Sequence, residues 1–149
     1  AAGVIEGLEE PGEDARVSSR PGALVLFNPA LVLAPVAGLD PRRDISDLPE
    51  RMGIDPAALS PYHHAAKGAP PTIIFHGKAD TTVPYRTAEL FAQRMAELGN
   101  RCELVGFEGA AHGFFNFGRG DGKAYRETLR KTDEFLASLG YLQGPPTLK

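Results

Sequence analysis

The sequence predicts an α/β fold: a mostly parallel sheet of about three strands with flanking helices. Three observations carry this. Short, uninterrupted apolar runs at residues 23–27 (ALVLF) and 72–75 (TIIF) suit strands covered on both faces, as in parallel sheets. Two later stretches, over residues 85–98 and 123–139, repeat their apolar residues with helical period. Strand and helix therefore alternate along the chain, as in successive βα units.

Taken in order, residues 1–8 (AAGVIEGL) open without a capping signal and read as the tail of a helix that starts outside this chain. Residues 9–22 are polar and rich in breakers, which predicts a loop. The first strand, ALVLF, stands between Pro21-Gly22 and Asn28-Pro29. Residues 29–70 hold many prolines and predict an irregular segment with one or two short helical turns. A connection of that length usually serves a site, as a lid or a substrate wall. The second strand, TIIF, ends at His76-Gly77. In the helix over 85–98, Ala88, Phe91, Met95 and Leu98 share one face, and Gly99-Asn100 supplies the stop. Residues 102–107 (CELVGF) predict the third strand. The last helix presents Tyr125, Leu129, Thr132, Leu136 and Leu139 inward, with Asp121 as its cap and Gly140 as its stop.

Composition narrows the function. A chain of 149 residues, 42% apolar and 23% charged, is long enough for one domain with a substantial core. Its 17 glycines and 13 prolines exceed ordinary usage and imply long connecting loops, where sites tend to sit. Charges of both signs are mixed, with a net of -3, so no basic stripe offers nucleic acid a footprint. No apolar run is long enough to span a bilayer. The single cysteine, Cys102, cannot form an internal disulfide and fits a reducing compartment.

Parallel α/β sheets bind their ligands beyond the C-terminal ends of the strands. That rule selects Asn28-Pro29, the segment after Phe75 and the segment after Phe107. After Phe75 comes HGKADTTVP, in which Gly77 turns the chain off the strand and Asp80 sits on a short loop. After Phe107 comes a loop of small residues around His112. A carboxylate and an imidazole on neighbouring strand-end loops have a defined chemical use. The carboxylate accepts a hydrogen bond from one ring nitrogen and stabilises the imidazolium, while the other nitrogen serves as base and then acid.

The stretch HGKADTTVP followed by GAAHGFFNF resembles the α/β-hydrolase superfamily, in its acetyl-esterase/lipase and prolyl-oligopeptidase-like branch. In that family an H-G-x-x-D-x-x-V-P motif carries the triad acid and a later His-Gly pair carries the base, in the chain order nucleophile, acid, histidine. The stretch RPGALVLFNPA is similar to the family's strand after the nucleophile helix. The resemblance runs from residue 1 to about residue 139, in register with the family's C-terminal half. It implies Asp80 and His112 as the catalytic acid and base. The nucleophile elbow, G-x-S-x-G, is absent: none of Ser18, Ser19, Ser46, Ser60 and Ser138 has the required glycines. The expectation is therefore a partial α/β-hydrolase domain over residues 1–149, with no nucleophile in this chain and the nucleophile-bearing N-terminal half outside it.

The resemblance implies a serine hydrolase of carboxylic esters, acting on a small-molecule ester or acyl substrate and needing no metal or organic cofactor. A serine peptidase of prolyl-oligopeptidase type shares the same triad and stands as the alternative. A third reading is a non-catalytic α/β module that binds or pairs with another chain, because the flank of the first strand invites self-association if left uncovered. Without the serine, little turnover is expected from this chain alone.

The remaining residues divide as follows. Phe114, beside His112, is a candidate for lining an acyl or leaving-group pocket, or for packing under the last helix with Phe115 and Phe117. His63 and His64 read as loop residues, and His76 as a strand-end histidine bonded locally. No H-E-x-x-H, cysteine pair or helical histidine repeat suggests a metal site. Cys102 reads as a packed residue. Gly122-Lys123 fails as a phosphate loop, because Phe117 stands where glycine is required and Ala124 where Ser or Thr is.

Overall fold

Parallel pairing joins β1 (Leu24–Phe27), β2 (Thr72–Gly77) and β3 (Cys102–Phe107) into one sheet in the order β1-β2-β3. The computed structural model describes residues 3–5, 12, 14, 16–37, 39 and 48–146. Phe27 lies beside Phe75 and Gly77 beside Phe107, so all three C-terminal ends share one rim. β2 is central and buried at every residue, which is why its apolar run is unbroken. The strand runs two residues past the expected end, because its pairing with β3 continues through His76 beside Gly106 and Gly77 beside Phe107, and His76 Nε2 finds a partner at the rim. β1 is half-buried along its length, and among the described residues it pairs only with β2.

Among the described residues five helical pieces accompany the sheet. They are α1 (Leu48–Met52), a 3₁₀ turn (Pro56–Leu59), α2 (Pro61–His64), α3 (Tyr85–Glu97) and α4 (Lys123–Ser138). Among the described residues of 29–70 there are three short helical pieces where one or two were expected. Of the proposed helix tail at 1–8, Gly3 and Val4 lie in a turn, while residues 1–2 and 6–8 fall outside the described residues.

Strand alternation sends β2 side chains to opposite faces. Ile74 packs with Ala88, Phe91 and Met95 of α3, and Leu26 and Leu104 flank that cluster. Ile73 and Phe75 pack with Phe135 of α4, flanked by Val25, Phe27, Val105 and Phe107. Each fully buried large apolar side chain contributes about 1.5–3 kcal/mol. α3 therefore buries the face that its sequence predicts. On α4 the most buried residues are instead Thr128 and Phe135, at 1% and 2% exposure. They lie seven residues apart, two helical turns, so the ring of Phe135 takes the place over β2 while Leu136 and Leu139 are only half-buried. Thr128 disguises this face in the sequence, but its hydroxyl donates back to the Tyr125 carbonyl at 2.9 Å and so is buried with its partner.

Both long helices stop as their sequences predict. The N–H groups of Gly99 and Asn100 bond to the carbonyls of Ala96 and Met95 at 2.9 Å each, and those of Gly140 and Tyr141 bond to Ala137 and Leu136 at 3.0 Å each. This paired arrangement satisfies the last carbonyls of a helix and favours glycine at its left-handed position. At the start of α4, Asp121 Oδ1 accepts the Lys123 N–H at 2.9 Å, although Gly122 occupies the formal cap position.

Candidate active site

The site is built where β2 and β3 end. Lys78 N–H donates to the Phe107 carbonyl at 2.9 Å, and Ala79 N–H donates to the Ala110 carbonyl at 3.0 Å. These two bonds fasten the loop after β2 to the end of β3 and to the loop that follows it. Gly77 makes the approach feasible, since a Cβ there would fall 2.3 Å from the Ala110 oxygen. Asp80 and His112 are thereby carried to neighbouring points on the rim.

Asp80 is buried, and both its oxygens are used. Oδ1 accepts the backbone N–H groups of Thr82 at 2.8 Å and Val83 at 2.9 Å. Oδ2 lies 2.8 Å from His112 Nδ1, which donates to it. Burial pushes the Asp80 carboxyl up, but the Val83 N–H, the His112 ring and the Thr82 N–H together outweigh it, so the group titrates below the ordinary aspartate value. The His112 side chain is 43% exposed, so the ring is held on one edge and reachable from solvent. A fixed carboxylate behind a reachable imidazole is the geometry that orients a general base.

His76 stands behind this pair, fully buried. Its Nε2 donates to the Val83 carbonyl at 2.9 Å and lies 3.4 Å from Asp80 Oδ2. The ring thus braces the turn over residues 80–83, as the local role expected for it requires. Sequence reasoning gave no role to the Thr82 and Val83 amides, which hold Asp80, nor to the Asn28 side chain. Asn28 Nδ2 lies 3.4 Å from His112 Nδ1. The one available signal was its position at a strand end, where the ligand rule for parallel sheets already pointed.

Phe114 is half-buried, with its ring centroid 4.6 Å from that of Phe107 and 5.5 Å from that of Phe115. Phe115 in turn lies 4.8 Å from Phe27. Phe117 is 85% exposed and meets only the edge of Tyr125 among the aromatic rings. His63 and His64 lie on α2 rather than on a loop, and they point to different partners. His63 Nδ1 is 2.8 Å from Ser60 Oγ, and His64 Nε2 donates to the Ala57 carbonyl at 3.0 Å. The Ser60–His63 contact is no nucleophile and base, because Ser60 is fully buried and its hydroxyl oxygen accepts the Leu33 N–H. Burial pushes the Cys102 thiol up to about 12, so it remains protonated and inert. Among the described residues no group of three or more His, Cys, Asp or Glu is placed to hold a metal ion, and no helix is long and apolar enough to cross a membrane.

A parallel sheet between two helical layers, with its Asp–His pair at the carboxyl rim, places the protein in the α/β-hydrolase class. The profile of the prolyl oligopeptidase family matches residues 49–139, and the chain belongs to that family. Among solved structures, esterase 2 of Thermogutta terrifontis in its sarin-phosphonylated form is 53% identical, with a TM-score of 0.89 over 96% of this chain. The propionate-bound form of the same esterase gives 52% identity and a TM-score of 0.85 over 97% of the chain, and the native form 54% and 0.85 over 99%. The chain spans about half the length of these esterase chains: 53%, 53% and 52% respectively. The non-reducing polyketide synthase pkbA of Emericella nidulans is 31% identical over 80 residues, which are 52% of this chain and 3% of that protein.

Proposed function

We propose that this chain supplies the acid and base of a serine hydrolase that cleaves carboxylic esters. One observation carries the reading: His112 Nδ1 is held 2.8 Å from a buried Asp80 whose other oxygen is fixed by two backbone N–H groups. The nucleophilic serine belongs to a segment outside these 149 residues, which contain no G-x-S-x-G. In the reaction His112 takes the serine proton as the serine oxygen attacks the ester carbonyl. It returns the proton to the leaving alkoxide, and then activates water to release the acid. Asp80 keeps the ring in the tautomer that leaves Nε2 free to accept.

Similarity to the Thermogutta esterase, at 53–54% identity over nearly all of this chain, supports esters over peptides as the substrates here. Its propionate-bound and butyrate-bound forms make short aliphatic acyl groups the first to try. Phe114, in the aromatic cluster two residues after His112, is the proposed wall on the acyl or leaving-group side. Peptide cleavage remains the second reading, favoured by the family match. A role in pairing is favoured by one further observation: an apolar hollow of about 260 Å³, lined by residues such as Leu24, Leu26, Leu31 and Phe91, opens beside β1. The test is a side-by-side assay of an upstream-extended chain on a nitrophenyl butyrate and on a prolyl nitroanilide. Ester cleavage well above amide cleavage supports the esterase reading, and the reverse order transfers the assignment to a peptidase.

A further inference from the structure

We infer that Asn28 is a positioning residue for His112, one that restricts the Nδ1 proton to Asp80. The inference rests on the reading of His112 as a base. Asn28 directly follows β1 and is buried. Its φ is +42°, and among the described residues it is the one non-glycine with positive φ. A strained backbone in a buried place persists only where its surroundings impose it, and such strain gathers at functional sites. Asparagine is among the few side chains that tolerate this conformation.

The surroundings are specific. Asn28 N–H donates to the Phe75 carbonyl at 2.9 Å, which continues the β1–β2 ladder. Its side-chain Oδ1 accepts the buried N–H of Gly77 at 3.2 Å. That bond holds the amide with its oxygen toward Gly77 and its NH₂ group on the other side. Nδ2 therefore faces His112, 3.4 Å from Nδ1. Nδ1 already donates to Asp80 Oδ2 at 2.8 Å. An amide nitrogen cannot accept that proton, so the carboxylate is the only acceptor of the two groups at Nδ1. Asn28 thus occupies the space where a water would compete for the proton, and it offers no acceptor of its own. Three strand-end segments meet at this point, since Asn28 directly follows β1, Gly77 ends β2, and His112 lies in the segment after β3.

Two substitutions separate this role from mere support of the backbone. Asn28→Gly keeps the positive φ and removes the amide. Asn28→Asp also tolerates the φ and keeps an acceptor for the Gly77 N–H, but it turns an acceptor toward His112. The first readout is the low-field proton resonance of His112 Nδ1–H in the 149-residue chain, assigned by its loss in His112→Gln. We expect Asn28→Gly to speed exchange of that proton with water by roughly tenfold or more, because the imidazole's edge is no longer enclosed. Asp80→Ala should abolish the resonance, and adding Asn28→Asp should restore it. In the upstream-extended chain, Asn28→Gly should lower kcat roughly tenfold with KM within about twofold. Asn28→Asp should likewise recover part of the activity lost in Asp80→Ala. Wild-type exchange and kcat in Asn28→Gly would overturn the inference, as would failure of Asn28→Asp to restore the resonance. If the resonances respond as expected and no form cleaves any ester, the hydrolase reading falls while the placement of Asn28 stands.

Discussion

The carbonyl oxygen of Ala110 occupies the space beside Gly77 so closely that a Cβ on Gly77 would lie 2.3 Å from it. That contact, with the Ala79 N–H bond to the same carbonyl, sets the separation between the Asp80 and His112 loops. The obstacle is backbone, not a flexible side chain, so relief requires the loop to move. Gly77→Ala should destabilise the fold by roughly 1–3 kcal/mol, the usual cost of overpacking. It should also weaken the His112–Asp80 bond. Urea denaturation of the variant against the parent chain checks the first effect, and the His112 Nδ1–H resonance checks the second. A variant of unchanged stability would contradict the tight approach.

The lowered pKa of Asp80 makes a directional prediction for acid stability. Burial raises it, but the hydrogen bonds from Val83, His112 and Thr82 outweigh that effect. An unfolded aspartate titrates near about 3.9. A folded value below this means that the ionised group stabilises the fold above that pH. The contribution is lost as the pH falls through the folded value. The stability gap between the native chain and Asp80→Asn should therefore be full at neutral pH and shrink below about pH 4. Denaturation at about pH 7, 5 and 3 measures it. A gap that widens toward acid would mean that the folded carboxyl titrates above the unfolded one, the opposite of the expected direction.

Phe135 covers β2 from the α4 side with 2% exposure. Phe135→Ala should cost about 3–5 kcal/mol, whereas Leu129→Ala, at a half-buried position on the same helix, should cost distinctly less. Thermal melts of the two variants would rank them, and equal losses would mean that the two positions share the core evenly.

Cys102 should behave as a packed thiol. With its pKa pushed up to about 12 by burial, it should react slowly with a thiol reagent near neutral pH in the folded chain and quickly in denaturant. Fast labelling of the native chain would show a thiol far more accessible than the structure describes.

The fold was legible in the sequence where one physical signal dominated. TIIF lies inside a strand buried at every residue, and Ala88, Phe91 and Met95 face the sheet because an apolar stripe has no other place to go. Asp80 and His112 were legible as a pair because motif spacing and strand-end position pointed to the same rim. The α4 face was misread by one step, since a threonine that satisfies its own hydroxyl looks like a surface residue until its neighbours are seen. Asn28 was legible as a place but not as a side chain, because its contacts to Gly77 and His112 span 49 and 84 residues. The two amides that hold Asp80 belong to the backbone and leave no mark on residue type.

The most direct test of the central claim is hydrolysis of a short-chain chromogenic ester by the 149-residue chain and by a version extended upstream to include a G-x-S-x-G segment. Turnover is predicted only in the extended form, reduced at least about a thousandfold by His112→Ala. Efficient turnover by the 149-residue chain alone, or activity in the extended form indifferent to His112, would contradict the assignment of His112 as the base and of the nucleophile to a segment outside this chain.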